Sequence, residues 1–209
     1  VLDPRLWRRL AVLGAVVLTL FALMAGLGPR QRPADCAVAN AILCAELPAD
    51  VGALAEALSP SLNPPSAWRT ALVLDMGFLV AYGLMLCLGA WLLGARAAGL
   101  AFAVAPLLDA VENVGLWRAL DAPSPALARL VSLSAAAKFA LLGLGALLCW
   151  RAAGQLPTRG TQVSLRAAGI VGAPAFLVFL DPRAALLGSL ATAIALATLW
   201  VAALRLRAR

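Results

Sequence analysis

The stretch LAFAVAPLLDAVENVGLWRAL, Leu100 to Leu120, decides how the chain is read. It is apolar along most of its length, yet it holds Asp109, Glu112 and Asn113. About twenty predominantly apolar residues is the length a helix needs to cross the hydrocarbon core of a bilayer. Polar groups inside such a helix are expensive: a charged side chain at its centre costs about 2.5–3.5 kcal/mol on insertion scales. The three sit at i, i+3 and i+4, so they share one side of the helix. That side is expected to face protein or a water-filled cavity rather than acyl chains.

The rest of the chain is of the same kind. Of its 209 residues, 63% are apolar and 13% charged, against about 45–50% and about 25% in soluble domains. The expected fold class is all-α, a polytopic membrane bundle of about six helices in a single domain, spanning 6–27, 68–93, 100–120, 126–150, 164–180 and 184–204. The first apolar run, Leu10 to Gly28, follows Arg8 and Arg9 as in a signal peptide. It is longer than the usual h-region of about 7–15 residues, so it reads as a retained helix. Pro106 is expected to kink the third span. The fifth is the weakest, being short and interrupted by Gly172 and Pro174. Asp181-Pro182-Arg183 marks the corner before the sixth.

Residues 29–66 form the one long polar connection, rich in proline. Within it Val51, Leu54 and Leu58 repeat at helical spacing with Glu56 opposite, which predicts a short amphipathic helix lying on the membrane or capping the bundle. Cys36 and Cys44 share this segment. In a periplasmic loop they are placed to form a disulfide; in one continuous helix their Cα atoms stand about 12 Å apart, too far to bridge. Cys87 and Cys149 read as small apolar fillers.

The net charge of +7 includes a single lysine, and the arginines cluster at the ends of apolar runs. They read as topology determinants that meet anionic lipid headgroups. No stretch is long and polar enough to make a nucleic-acid-binding face. An inside N-terminus puts Arg5, Arg8, Arg9, Arg96, Arg151, Arg159, Arg166, Arg205, Arg207 and Arg209 within, and Arg30, Arg32, Arg69, Arg118, Arg129 and Arg183 outside. This bias favours cytoplasmic N- and C-termini. Trp7, Trp68, Trp91, Trp117, Trp150 and Trp200 all fall near span ends, as interfacial belts require. The composition suits the inner membrane of a bacterium.

There is no histidine, which removes the commonest metal ligand and the commonest general base. There is no C-x-x-C pair either, so no metal and no cofactor is expected. The remaining polar signal lies at matching depths on three consecutive spans. At about 1.5 Å per residue, Asp75 lies about 10 Å below Trp68, Glu112 about 8 Å and Asp109 about 12 Å below Trp117, and Ser134 about 10 Å and Lys138 about 16 Å below Leu127. Tyr82 extends the track inward. Asp75, Tyr82, Asp109, Glu112, Asn113, Ser134 and Lys138 are therefore the candidate site residues, set from the outer half of the bilayer to its midplane. Three carboxylates and one ammonium do not balance, so at least one carboxyl is expected to keep a proton.

Three functions follow from such a cluster. One is binding or translocation of a small polar or cationic solute, a proton or a lipid headgroup, in a chain small enough to work as a homo-oligomer. Another is an intramembrane hydrolase using Asp75 with Asp109 or Glu112 as acid and base, or Ser134 with Lys138 as a dyad. The third is a structural or assembly subunit, in which the polar face of span 3 points out of the monomer toward a partner helix.

Overall fold

A computed structural model describes residues 4–36, 38, 40–156, 158–181 and 183–207 of the chain. Among these residues there are eight α-helices and no strand. They are α1 Pro4–Leu27, α2 Ala41–Glu46, α3 Val51–Ala57, α4 Pro65–Leu92, α5 Arg96–Ala119, α6 Pro125–Cys149, α7 Arg159–Gly172 and α8 Ala184–Arg207. Two 3₁₀ segments, Arg151–Gln155 and Ala173–Phe179, flank α7. Pro182 and Arg209 lie outside the described residues.

Among the described residues six helices are long and apolar enough to cross a membrane: α1, α4, α5, α6, α7 with its following 3₁₀ segment, and α8. Their outer faces carry Val73, Val80, Leu84, Leu100, Leu107 and Leu133, all exposed. In water a patch of that extent is an association site; in a bilayer it meets its natural solvent. The chain is a helical protein of the multi-pass membrane type.

Local chemistry sets the helix ends. Pro65 opens α4 and Pro125 opens α6, where a missing N–H is harmless and φ is already helical. Ser124 caps α6 by accepting from Leu127 N–H, and Asp50 caps α3 through Ala53 N–H. Helices α4 and α5 turn at Gly94, whose φ of +68° is the left-handed conformation that closes a helix C-terminus. Helix α5 continues through Pro106. The ring of that proline lies against the backbone of Gly83, where a β-carbon would meet Pro106 Cγ at 2.5 Å. Thr158 caps α7 through Thr161 N–H, so this helix begins before the expected 164. Its α-helical part stops at Gly172, just ahead of Pro174, which cannot donate to the helical ladder.

Helix α5 packs along α6 on one side and α4 on the other; α1 lies on α4 and α8, and α7 and α8 cover the far side of α6. Cross-links fix the direction of the helices. Trp200 Nε1 donates to Ala11 O, and Arg205 donates to Thr158 Oγ1 at 2.9 Å. The start of α1, the start of α7 and the end of α8 therefore share one end of the bundle. The connection between α1 and α4 closes the other. Two tryptophans differ from the interfacial expectation: Trp7 and Trp68 are buried inside the protein, where they fill space between helices, whereas Trp91, Trp117 and Trp150 are exposed.

Candidate functional site: a lysine ringed by carboxylates

Lys138 is the hub. It lies thirteen residues into α6, about 20 Å from the helix start. A helical side chain tilts toward the N-terminus of its helix, so the ammonium reaches back toward the end closed by the long connection. Its Nζ lies 2.7 Å from Asp109 Oδ1 and 2.9 Å from Glu112 Oε2, both on α5. A third carboxylate, Glu46 Oε2, stands at 3.4 Å. The ring of Phe139 lies 4.7 Å from Nζ, within the range of a cation–π contact.

The i, i+3, i+4 spacing on α5 does what the sequence implies. Asp109, Glu112 and Asn113 are all buried and face into the bundle. Asp109 also accepts from Tyr82 Oη at 2.8 Å, so it ties α4 to α6 through α5. Asn113 Nδ2 donates to Asp75 Oδ2 at 2.6 Å, which brings the half-buried Asp75 to the same face of α5. Glu112 is 0% exposed. Its Oε2 is held by the ion pair with the Lys138 ammonium at 2.9 Å, and its Oε1 has no hydrogen-bonded partner among the described residues.

Six of the seven candidate residues therefore lie in one connected centre: Asp75, Tyr82, Asp109, Glu112, Asn113 and Lys138. Ser134 is buried but turns aside. Its hydroxyl donates to Leu130 O at 2.7 Å and Val131 O at 3.1 Å, the back-bonding common for serine within helices. No hydrogen bond joins it to Lys138 among the described residues, so the pair lacks the nucleophile–base contact of a dyad.

Glu46 is the member that sequence reasoning missed. It ends α2 and is 8% exposed, although it belongs to the polar connection. One signal was there: AILCAEL, residues 41–47, is an apolar run with a single acid, placed directly after Asn40. Asn40 does cap α2, accepting from Ile42 and Leu43 N–H. The connection also holds the disulfide. Cys36 and Cys44 are bonded, with Cα atoms 6.0 Å apart. The chain becomes helical only at Ala41, which brings the two cysteines well inside the separation of a continuous helix. Glu46 follows Cys44 by two residues.

At the mouth of the connection Asn63 clamps the base of the loop. Its Oδ1 accepts from Arg30 N at 2.8 Å and Gln31 N at 3.0 Å, and its Nδ2 donates to Gln31 O. Nearby, exposed Arg69 pairs with Asp121 at 3.0 Å and lies over the Trp117 ring. The chain matches no family model, no curated protein and no solved structure, so the chemistry of the centre is argued from its own residues.

Proposed function

We propose that this chain is a multi-pass protein of a bacterial cytoplasmic membrane whose Lys138 centre binds and passes a proton or a small cationic solute. The observation that carries the reading is the surplus of carboxylates. Asp109, Glu112 and Glu46 surround one ammonium, Asp75 joins the centre through Asn113, and Glu112 adds an unmatched oxygen at zero exposure. Buried charge is tolerated when it is compensated, so the centre has capacity for further positive charge. A proton or a small cation supplies it.

Two contacts bear on the competing readings. An assembly subunit needs the polar face of α5 on the outside of the monomer; that face is buried within it. An acid/base enzyme would pair Asp75 directly with a second carboxyl; the hydrogen bond that Asp75 makes is to Asn113, so no direct contact favours that pairing. For orientation, the arginine distribution favours termini on the cytoplasmic side, and a disulfide in the α1–α4 connection suits an oxidising outer compartment.

Reconstitution into liposomes tests the proposal. With the protein assayed both oxidised and after dithiothreitol, an imposed pH or cation gradient is expected to dissipate through the wild-type chain in at least one state and in neither state through Glu112→Gln or Asp109→Asn, both of which keep side-chain volume. A wild-type chain that carries neither protons nor monovalent cations in either redox state, while remaining folded in the vesicle, overturns it.

A further inference from the structure

Lys138 has two partners from a spanning helix and one from elsewhere. Asp109 and Glu112 belong to α5, which cannot leave. Glu46 belongs to α2, a six-residue helix in the connection that packs between α5 and α6. Its contact with Nζ is the longest of the three, 3.4 Å against 2.7 and 2.9 Å. The level of this contact matters. Asp109 lies ten residues before the end of α5, about 15 Å below it, and the ammonium sits beside Asp109. Helix α2 therefore reaches into the mouth of the bundle instead of resting on top.

A helix of this length is not stable by itself; isolated helices are marginal even at about 12–15 residues. Packing holds α2 through buried Leu43, Cys44 and Ala45, and the disulfide to Cys36 ties it covalently. The base of the loop is fixed separately by Asn63. Segments on either side of α2 lack regular structure, from Cys36 to Asn40 among the described residues and from Leu47 to Asp50. The loop thus has a fixed base, a short insert, and one covalent tie placed two residues from the carboxylate that touches the centre.

We propose that α2 is a disulfide-locked gate on the Lys138 centre, closed while Cys36–Cys44 is oxidised and released by a dithiol reductant. The inference rests on the reading of that centre as a proton or cation site. A thiolate of the dithiol attacks Cys36 Sγ, the less buried sulfur. The Cys36–Cys44 bond breaks and Cys44 leaves as a thiolate that takes up a proton. The second thiol of the reductant then attacks the mixed disulfide and releases Cys36 as a thiol. Two electrons and two protons pass to the cysteine pair, and the dithiol becomes its own disulfide. With the tie gone, α2 frays, Glu46 leaves Nζ, and the side of the centre facing the loop opens.

The test uses the full chain in liposomes, oxidised or treated with dithiothreitol, with two readouts: amide hydrogen exchange of residues 41–46 and dissipation of a pH gradient. Reduction is expected to raise exchange over 41–46 by about ten- to a hundredfold, the scale of the constraint a short disulfide loop supplies, while α5 and α6 stay protected. Gradient dissipation should rise with it. The Cys36→Ser/Cys44→Ser variant should behave as the reduced protein without reductant, and Glu46→Gln should raise exchange over the same residues in the oxidised state. Raised exchange with no dissipation in either state keeps the gate and removes the transport reading. Unchanged exchange over 41–46, exchange raised across the whole bundle, or a measurable dissipation that is equal in both states while exchange rises each overturns the gate.

Discussion

The two sides of α6 are held by different means. Toward α4 and α5, it contributes Lys138 to a set of buried charges that links three helices and a loop. Toward α7 and α8, its contacts are small residues at close range. A β-carbon on Gly143 would collide with the carbonyl oxygen of Gly172 and with Ala175, and one on Gly188 would stand 3.2 Å from Phe139 O. Ionisable residues of α7 and α8 lie on exposed surface or toward helix ends, as with Arg166 and Arg205. Helix association in lipid lacks the hydrophobic drive it has in water, and relies on close backbone packing and polar contacts. This protein divides the two devices between the faces of one helix. Backbone proximity is the cheaper device, because it buries no charge. The charged side is the costlier device, and the proposed proton or cation site is the use we assign to its surplus of carboxylates.

The contrast can be broken most sharply at Lys138. Lys138→Met removes the one ammonium and leaves three carboxylates facing each other. Stability in detergent, followed by thermal or denaturant unfolding, is expected to fall by about 3–5 kcal/mol, the cost of an uncompensated buried charge. Adding Glu46→Gln, Asp109→Asn and Glu112→Gln to the same variant should recover most of that loss; a quadruple variant as unstable as the single one would mean that packing, not charge, is at stake. On the opposite face, Gly143→Ala should cost about 1–3 kcal/mol by forcing α6 away from the end of α7, and should leave the proton or cation behaviour of the centre in place. An equal effect of Gly143→Ala on both would merge the two regions into one. The smallest effect is expected at the surface pair. Arg69→Ala breaks a contact that is about half exposed and should change stability by about 0–1 kcal/mol, read in the same unfolding experiment.

Much of the polar centre was legible because lipid makes polarity conspicuous. Asp109, Glu112 and Asn113 stand out inside an apolar helix, and helical rise converts their numbers into depths that match Asp75 and Lys138. The same logic hid Glu46. In a polar connection an acid costs nothing, and depth arithmetic does not apply where the chain is not one helix. Ser134 shows the converse: its position on the face of α6 was legible, but a hydroxyl can satisfy itself on its own helix, and spacing does not reveal that choice. The disulfide was open for a related reason, since the separation of Cys36 and Cys44 depends on where α2 begins, and Asn40 decides that.

By itself, the sequence determined the all-helical class, six apolar stretches of spanning length and the face of α5 that must be hidden from lipid. It did so because hydrocarbon solvates neither charge nor free backbone, and each span answers to that demand locally. Only the tertiary structure decided which carboxylates meet the ammonium, that Trp7 and Trp68 turn inward, and that a loop residue completes the centre. Those outcomes depend on how the helices and the connection pack against one another, and a short helix such as α2 has no fixed place until they have done so.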